Sequence, residues 1–429
     1  MGPKVVINTI GTLGDLHPLI DVAFELKAKG LNPVFATSND YLEKLENAGF
    51  EAHGIVEGFL ERAAKSGLSK EQFMRKLMTN QKKMMEDFVL APLAPSAEKL
   101  DAIIDGAIGV IGGPFSYAGH VIADKYNLKF IMTVLQPGLF ETRYDPIVTP
   151  DMPVYIAPAR NPFSRTWNRF WMVVLKFIGR LLYSKAINDV RRAHGLPVKA
   201  HLPFFALTDA VLFLGLYSEL LGGLQPDMFA HTYITGFPEF DSQSGQAEKL
   251  DPALETFLDN GPPPLIFGLG SLAFHASGDF FTQSIAVAKN MNMRAIMLTG
   301  EPLDIPYDKD IFVTSYAPHT ELFPRVAAII HHGGIGSTGR ALKAGKPQLI
   351  TPFNGDQFDN ARRVKRLGIS DTLPIKKYNA ARAEKILREL LTDPKIQSLA
   401  QENAQKLSRE NGTKKAATLI IDYLDIKAS

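Results

Sequence analysis

The stretch from Val326 to Ala361, VAAIIHHGGIGSTGRALKAGKPQLITPFNGDQFDNA, constrains the fold more than any other part of the chain. It opens with Val326 to Ile330, a short β-branched apolar run with the pattern of a strand buried on both faces. His331-His332-Gly333-Gly334-Ile335-Gly336-Ser337-Thr338 then makes a glycine-rich turn, and Ser337 or Thr338 is placed to cap a helix running to Gly345. A second strand, Pro347 to Pro352, ends in Asn354-Gly355-Asp356-Gln357. A strand, a glycine turn and a helix N-terminus together form an anion site. Unpaired N–H groups and the positive end of the helix dipole converge on one spot. Small residues let a diphosphate approach the backbone, and His332 adds a side-chain donor. Asp356 and Gln357 fall at the carboxyl edge of the same sheet, where a carboxylate beside an amide suits sugar hydroxyls. The combination predicts a nucleoside-diphosphate-sugar site. An ordinary glycine-rich turn would account for Gly333, Gly334 and Gly336, but not for His332 or for Asp356-Gln357.

Length and charge narrow the rest. At 429 residues the chain is long enough for two domains, and 45% hydrophobic with 21% charged residues is the composition of an ordered globular protein. A net charge of +2 gives no global reason to expect a nucleic-acid partner. The absence of Cys excludes disulfides, thiolate zinc sites and a Cys nucleophile. The apolar run in MGPKVVINTIGTLGD is too short for a signal peptide, and no run reaches the roughly twenty apolar residues of a spanning helix, so a soluble cytoplasmic protein is expected.

The chain opens with a strand at Val5 to Ile10, a turn from Gly11 to Pro18 and an amphipathic helix from Leu19 to Lys29. A strand from Asn32 to Thr37 and a helix from Tyr41 to Ala48 follow, and this βαβα order predicts a parallel, doubly wound sheet. The first turn lacks the G-x-G-x-x-G of dinucleotide sites, which argues against NAD. Residues 56–100 read as mostly helical and carry Met74, Met78, Met84 and Met85, which suit either a plain core or an irregular apolar ligand. Further strands are expected at 104–111, 129–135, 211–216 and 233–236. Phe115 and Gln136 stand just beyond two of them. The polar segment Phe240 to Lys249 is the expected linker, dividing the chain into domains 1–238 and 239–429. Strands at 264–270, 294–299 and 311–315 begin the second half. Asp308-Lys309-Asp310 is read as turn chemistry before a strand, not as a metal site.

The segment from Trp167 to Leu182 stands apart. Trp167, Phe170, Trp171, Val174, Phe177 and Leu181 make one apolar stripe at helical spacing. Arg165, Arg169, Lys176 and Arg180 lie to another side, with no acid from Arg165 through Asn188. Such a helix can pack on its own domain, wall a lipophilic acceptor pocket through Trp171, or make a weak contact with a membrane surface. The pocket is the expectation over the bilayer, because no second anchoring signal accompanies the helix.

The ordered motifs H-H-G-G-x-G-S-T, A-G-K-P and P-F-x-G-D-Q-x-x-N-A, with P-H-x-x-L-F-P at Pro318 to Pro324, closely resemble the donor signature of family 1 glycosyltransferases. The match is nearest the bacterial and sterol-glucosyltransferase branch. The resemblance implies a GT-B fold: α/β, with two Rossmann-like domains facing across a cleft. The N-terminal domain would bind the acceptor, the C-terminal domain the donor, and the last helix would cross back onto the first domain. It implies inverting transfer of a hexose, glucose from UDP-glucose being expected, to a hydroxyl of a lipophilic acceptor such as a sterol or phenolic compound. No metal or other cofactor is expected.

The resemblance also assigns residues. Aligned on Pro18, the catalytic His of plant members is replaced by Asp15, a carboxylate that can take the acceptor proton; His17 is its rival. Donor contacts would come from Ser271 in the Gly268-Leu269-Gly270-Ser271 turn and from His332, Gly334, Gly336, Ser337 and Thr338 at the diphosphate. Tyr316, Ala317 and His319 would hold the uracil, and Asp356 and Gln357 the sugar. The acceptor pocket would include Met74, Met78, Phe115, Gln136 and Trp171. Where plant members place Glu for the ribose, this chain has Arg340. A sugar-nucleotide epimerase of the same architecture, or a protein that binds a sugar nucleotide or lipophile without chemistry, are the alternatives; Asp15 speaks against the mere binder.

Overall fold

The computed structural model describes residues 2–69, 72–73, 81–150, 152, 154–199, 211–270, 277–301 and 309–426. Two parallel sheets carry the described chain. The first contains β1 (Lys4–Asn8), β2 (Asn32–Ser38), β3 (Glu51–Val56), β4 (Ala107–Gly112), β5 (Lys129–Val134), β6 (Leu212–Gly215) and β7 (Thr232–Ile234), in the order β3-β2-β1-β4-β5-β6-β7. The second contains β8 (Leu265–Gly268), β9 (Ala295–Leu298), β10 (Ile311–Thr314), β11 (Ala328–His331), β12 (Gln348–Ile350) and β13 (Ser370–Thr372), in the order β10-β9-β8-β11-β12-β13. The registers are direct: Val6 stands opposite Val34 and Val110, and Ile329 opposite Ile266. Both sheets reverse strand order beside their first strand, which opens a crevice at the carboxyl ends of β1 and β4 and of β8 and β11. Two edge strands, β3 and β13, were not legible as strands, because Glu51-Ala52-His53-Gly54 and Ser370-Asp371-Thr372 carry little apolar signal.

Apolar layers cover both faces of each sheet, because the strands are β-branched runs rather than alternating patterns. Helix α1 (Leu13–Ala28) buries Leu16, Leu19, Ile20 and Leu26 on the first sheet. Helix α2 (Leu42–Asn47) follows β2, and α3 (Leu93–Ile103) and α4 (Tyr117–Lys125) flank β4. The last helix, α8 (Gly412–Tyr423), packs Ala416, Ala417 and Ile420 into the same layer as α1. It is tied there by Lys129 Nζ donating to the Tyr423 carbonyl at 2.6 Å.

The segment between the sheets is not a loose tether. Ser242 is buried and its carbonyl accepts from Lys44 Nζ of α2 at 2.8 Å. Gly245 takes a positive φ of 96°, and a Cβ there would stand 2.2 Å from the Lys44 carbonyl oxygen. Helix α7 (Asp356–Arg366) makes a second tie. Arg363 donates to Asp359 at 2.6 Å, to Asp145 at 2.6 Å and to the Leu221 carbonyl at 3.0 Å.

Candidate active site

The carboxyl ends of both sheets face one cavity of about 1020 Å³. On the first-sheet side, the chain leaves β1 through Thr9 to Thr12 and enters α1 at Leu13, earlier than the apolar spacing suggested. Thr12 is the cap, and Asp15 stands in the first turn. The Thr12 N–H donates to Asp15 Oδ2 at 2.8 Å and the Thr12 hydroxyl to the same oxygen at 3.2 Å. T-x-x-D before an apolar run is a capping-box pattern, so this part was readable from sequence. Gly11 is required here: its φ is 131°, and a Cβ would lie 2.4 Å from Asp15 Oδ2. Burial raises the Asp15 pKa, against the lowering effect of the Thr12 bonds. A carboxylate stripped of water is a stronger base than one in bulk solvent.

His17 is held differently. Its Nε2 lies 3.1 Å from Lys44 Nζ, and an ammonium can only donate, so that lone pair is occupied. Its ring stands edge-on to Phe240, with centroids 5.3 Å apart. Burial, reinforced by Lys44 and Arg340, pushes the imidazole down to about 3, so it is neutral at working pH. Lys44 itself is pushed down to about 8 by burial, against the pull of Glu248 and Asp241.

On the second-sheet side, α6 (Ile335–Lys343) begins beyond the His332-Gly333 turn. Its cap is Gly334, not Ser337 or Thr338. The Thr338 hydroxyl is turned inward and donates to the Gly334 carbonyl at 2.9 Å, and Thr338 does not line the cavity. Gly334, Gly336 and Ser337 do, and the first N–H groups of α6 have no acceptor within the helix. No acidic residue sits in that turn.

The two histidines divide the work. His331 is buried, with Nε2 2.9 Å from Gln348 Oε1 and Nδ1 accepting from the Gly333 N–H at 3.2 Å. It fixes the turn. His332 lines the cavity, wedged where a Cβ on Gly334 would come within 2.4 Å of Nε2 and one on Gly270 within 2.7 Å of Cε1. Its buried Nδ1 has no partner among the described residues, and burial pushes the ring down to about 3. His332, neutral and lining the cavity beside a helix N-terminus, can offer a ring N–H to an anion bound there.

Asp356 and Gln357 open α7. Burial raises Asp356 to about 6; the negative charges of Asp15 and Asp359 add to this, while a hydrogen bond with Gln136 opposes it. Asp356 therefore feels the charge of Asp15 on the opposite wall, and Gln136, two residues beyond β5, reaches across to Asp356. Gln357 is partly structural: its Oε1 accepts from the Phe353 N–H at 2.8 Å.

Tyr316, Ala317 and His319 line the far end of the cavity. The Tyr316 carbonyl accepts from the Thr314 hydroxyl at 3.0 Å, and the Glu248 carboxylate lies against its phenol. His319 Nδ1 stands 3.9 Å from Asp241, which also pairs with Arg340 Nε at 3.3 Å. Arg340, at the place of the plant ribose-binding Glu, thus reaches the inter-sheet segment. Its Nη2 also donates to the Phe240 carbonyl at 2.5 Å. Phe115 and Met84 line the cavity, joined by Phe59, Phe88, Ile147 and Met152, which local patterning did not single out. Trp171 does not reach the cavity, which corrects the expectation for that helix. Ser271, Met74, Met78 and Asp308 lie outside the described residues. Among the described residues no three His, Asp or Glu side chains gather as a metal site.

Residues 304–424 match the C-terminal domain of the erythromycin biosynthesis protein CIII-like family. Glycosyltransferase GtfE of Amycolatopsis orientalis is 28% identical over 375 residues, covering 85% of each chain. Sterol 3-beta-glucosyltransferase of Komagataella phaffii is 25% identical over 450 residues; 98% of this chain matches, spanning 34% of that longer protein. The glycosyltransferase VinC, solved in complex with DTDP, superposes with a TM-score of 0.70 at 16% identity, over 98% of this chain and 99% of its own. The chain therefore shares the two-sheet GT-B fold of that solved structure and is similar in sequence to glycosyltransferases over most of its length. In this fold the two sheet crevices are the two walls of one cleft, with Asp15 on one and His332 and Asp356 on the other.

Proposed function

We propose that this glycosyltransferase moves a hexose, glucose from UDP-glucose being the first donor to test, onto a hydroxyl of a lipophilic acceptor with inversion at the anomeric carbon. One observation carries the reading. A buried carboxylate, Asp15, shares a cavity with an unpartnered neutral imidazole, an uncapped helix N-terminus and a second carboxylate, Asp356.

Asp15 takes the proton from the acceptor hydroxyl as its oxygen attacks the anomeric carbon, with Oδ2 steadied by Thr12. The first N–H groups of α6 and His332 stabilise the charge that develops on the departing diphosphate, in place of a metal ion. Asp356 and the amide of Gln357 hold sugar hydroxyls, and Tyr316, Ala317 and His319 receive the base. His17 positions the acceptor loop through Lys44 rather than moving the proton. The acceptor side of the cleft is the 1–238 domain and the donor side the 239–429 domain. The apolar wall of Phe59, Met84, Phe88, Phe115 and Met152 supports a lipophilic acceptor. The cytoplasm, where nucleotide sugars are made, is the proposed place of action.

The decisive experiment incubates the protein with UDP-glucose or dTDP-glucose and a panel of sterols, phenols and macrolactones, reading product mass. The DTDP held by VinC makes thymine the second base to test. A product heavier than its acceptor by one anhydrohexose supports the reading; a changed sugar nucleotide with no acceptor product refutes it.

A further inference from the structure

Helix α5 (Pro162–Ala193), following the loop that lines the cavity at Met152, runs for 32 residues. Of its side chains only Asn168, Ile187, Val190 and Arg191 are buried. Its apolar stripe is turned to solvent: Phe163 is 78% exposed, Phe170 56%, Phe177 58% and Leu181 69%. The stripe continues through Tyr155, 79% exposed, whose carbonyl accepts from Trp167 Nε1 at 2.9 Å. From Phe163 to Leu182 it extends about 28 Å along the helix. An exposed apolar face of that size marks a docking surface.

Charge identifies the occupant. From Met152 through Asn188 there is no Asp or Glu, and Arg160, Arg165, Arg169 and Arg180 are basic, while Lys176 and Lys185 are held in ion pairs with Glu141 and Asp189. Arg160 and Arg169 are exposed. A second copy of this chain meeting the face across a two-fold axis would set basic residue against basic residue. An anionic headgroup layer would complement the bases and take up the aromatic and aliphatic side chains beneath it. Among the described residues no helix is long and apolar enough to cross a membrane.

We propose that the exposed face of α5, with Tyr155, seats in the plane of an anionic lipid surface. The cleft wall at Met152 then opens beside that surface. This docking does not depend on which sugar or acceptor the enzyme uses.

The test is co-sedimentation of the full chain with vesicles of phosphatidylcholine alone or mixed with phosphatidylglycerol. The protein should pellet with the mixed vesicles and be released by salt. The Phe170→Ser/Phe177→Ser/Leu181→Ser variant should lose binding, and Arg160→Glu/Arg169→Glu should weaken it by roughly tenfold or more. Both variants change exposed positions and should keep the wild-type thermal midpoint, which is measured alongside. Absence of uptake by the mixed vesicles overturns the proposal. So does equal uptake by both vesicle types that the variants do not alter. A wild-type dimer that the triple variant dissolves, with no vesicle uptake, assigns the face to a second copy and overturns it as well.

Discussion

Replacing Asp15 with Asn isolates the proposed chemistry from the structure around it. The Asp15 side chain has two jobs: Oδ2 closes the capping box with Thr12, and the carboxylate is the proposed base. Asn keeps an amide oxygen for the Thr12 N–H and removes only basicity, so the fold should stand. Loss of a general base is expected to lower kcat by roughly 10²–10⁴-fold, or about 3–5 kcal/mol of transition-state stabilisation. Donor affinity should hardly move, because the diphosphate and sugar contacts come from α6 and α7. Asp15→Ala also removes the cap and should cost about 1 kcal/mol of stability beyond the same catalytic loss. His17→Ala is the matched control. Its Nε2 is occupied by Lys44, so the variant should raise the acceptor KM while retaining most of kcat. Steady-state kinetics and a nucleotide-binding titration on the same preparations decide the matter. Near-normal turnover in Asp15→Asn, together with an inactive but folded His17→Ala, would refute the assignment.

Other outcomes follow from the same geometry. In its proposed role Asp356, raised to about 6, accepts from sugar hydroxyls most strongly when ionised, so the donor KM should climb as pH falls through 6. Asp356→Asn should flatten that rise, and a wild-type donor KM unchanged across pH 6 counts against the role. Activity should persist in EDTA, since α6 and His332 supply the positive field; loss with EDTA and rescue by Mn²⁺ would overturn the metal-free mechanism. Arg363→Met should lower stability by about 1–3 kcal/mol, because Asp145 and Asp359 lose the donor they share and keep only Arg362 in common, and an unaltered thermal midpoint would contradict this.

The sequence was most informative where function and local structure share a few contiguous residues. The β11 turn, the uncapped start of α6 and Asp356-Gln357 lie within one stretch whose order is nearly the geometry itself. Parallel doubly wound sheets were equally readable, because buried strands are continuous apolar runs. Local signal failed at the ends of elements. The cap of α6 falls on Gly334 and leaves the Thr338 hydroxyl facing its own helix, a choice set by how the turn packs under His331. Spacing also showed α5 to be amphipathic without saying what its apolar face meets. Only the fold, which turns that face outward and keeps Trp171 from the cleft, separates surface from pocket. The occupied lone pair of His17 and the Asp145–Arg363 tie join residues far apart in the chain. Composition and periodicity carry no record of such pairs, because burial and charge at a distance exist only once the two sheets have closed on one another.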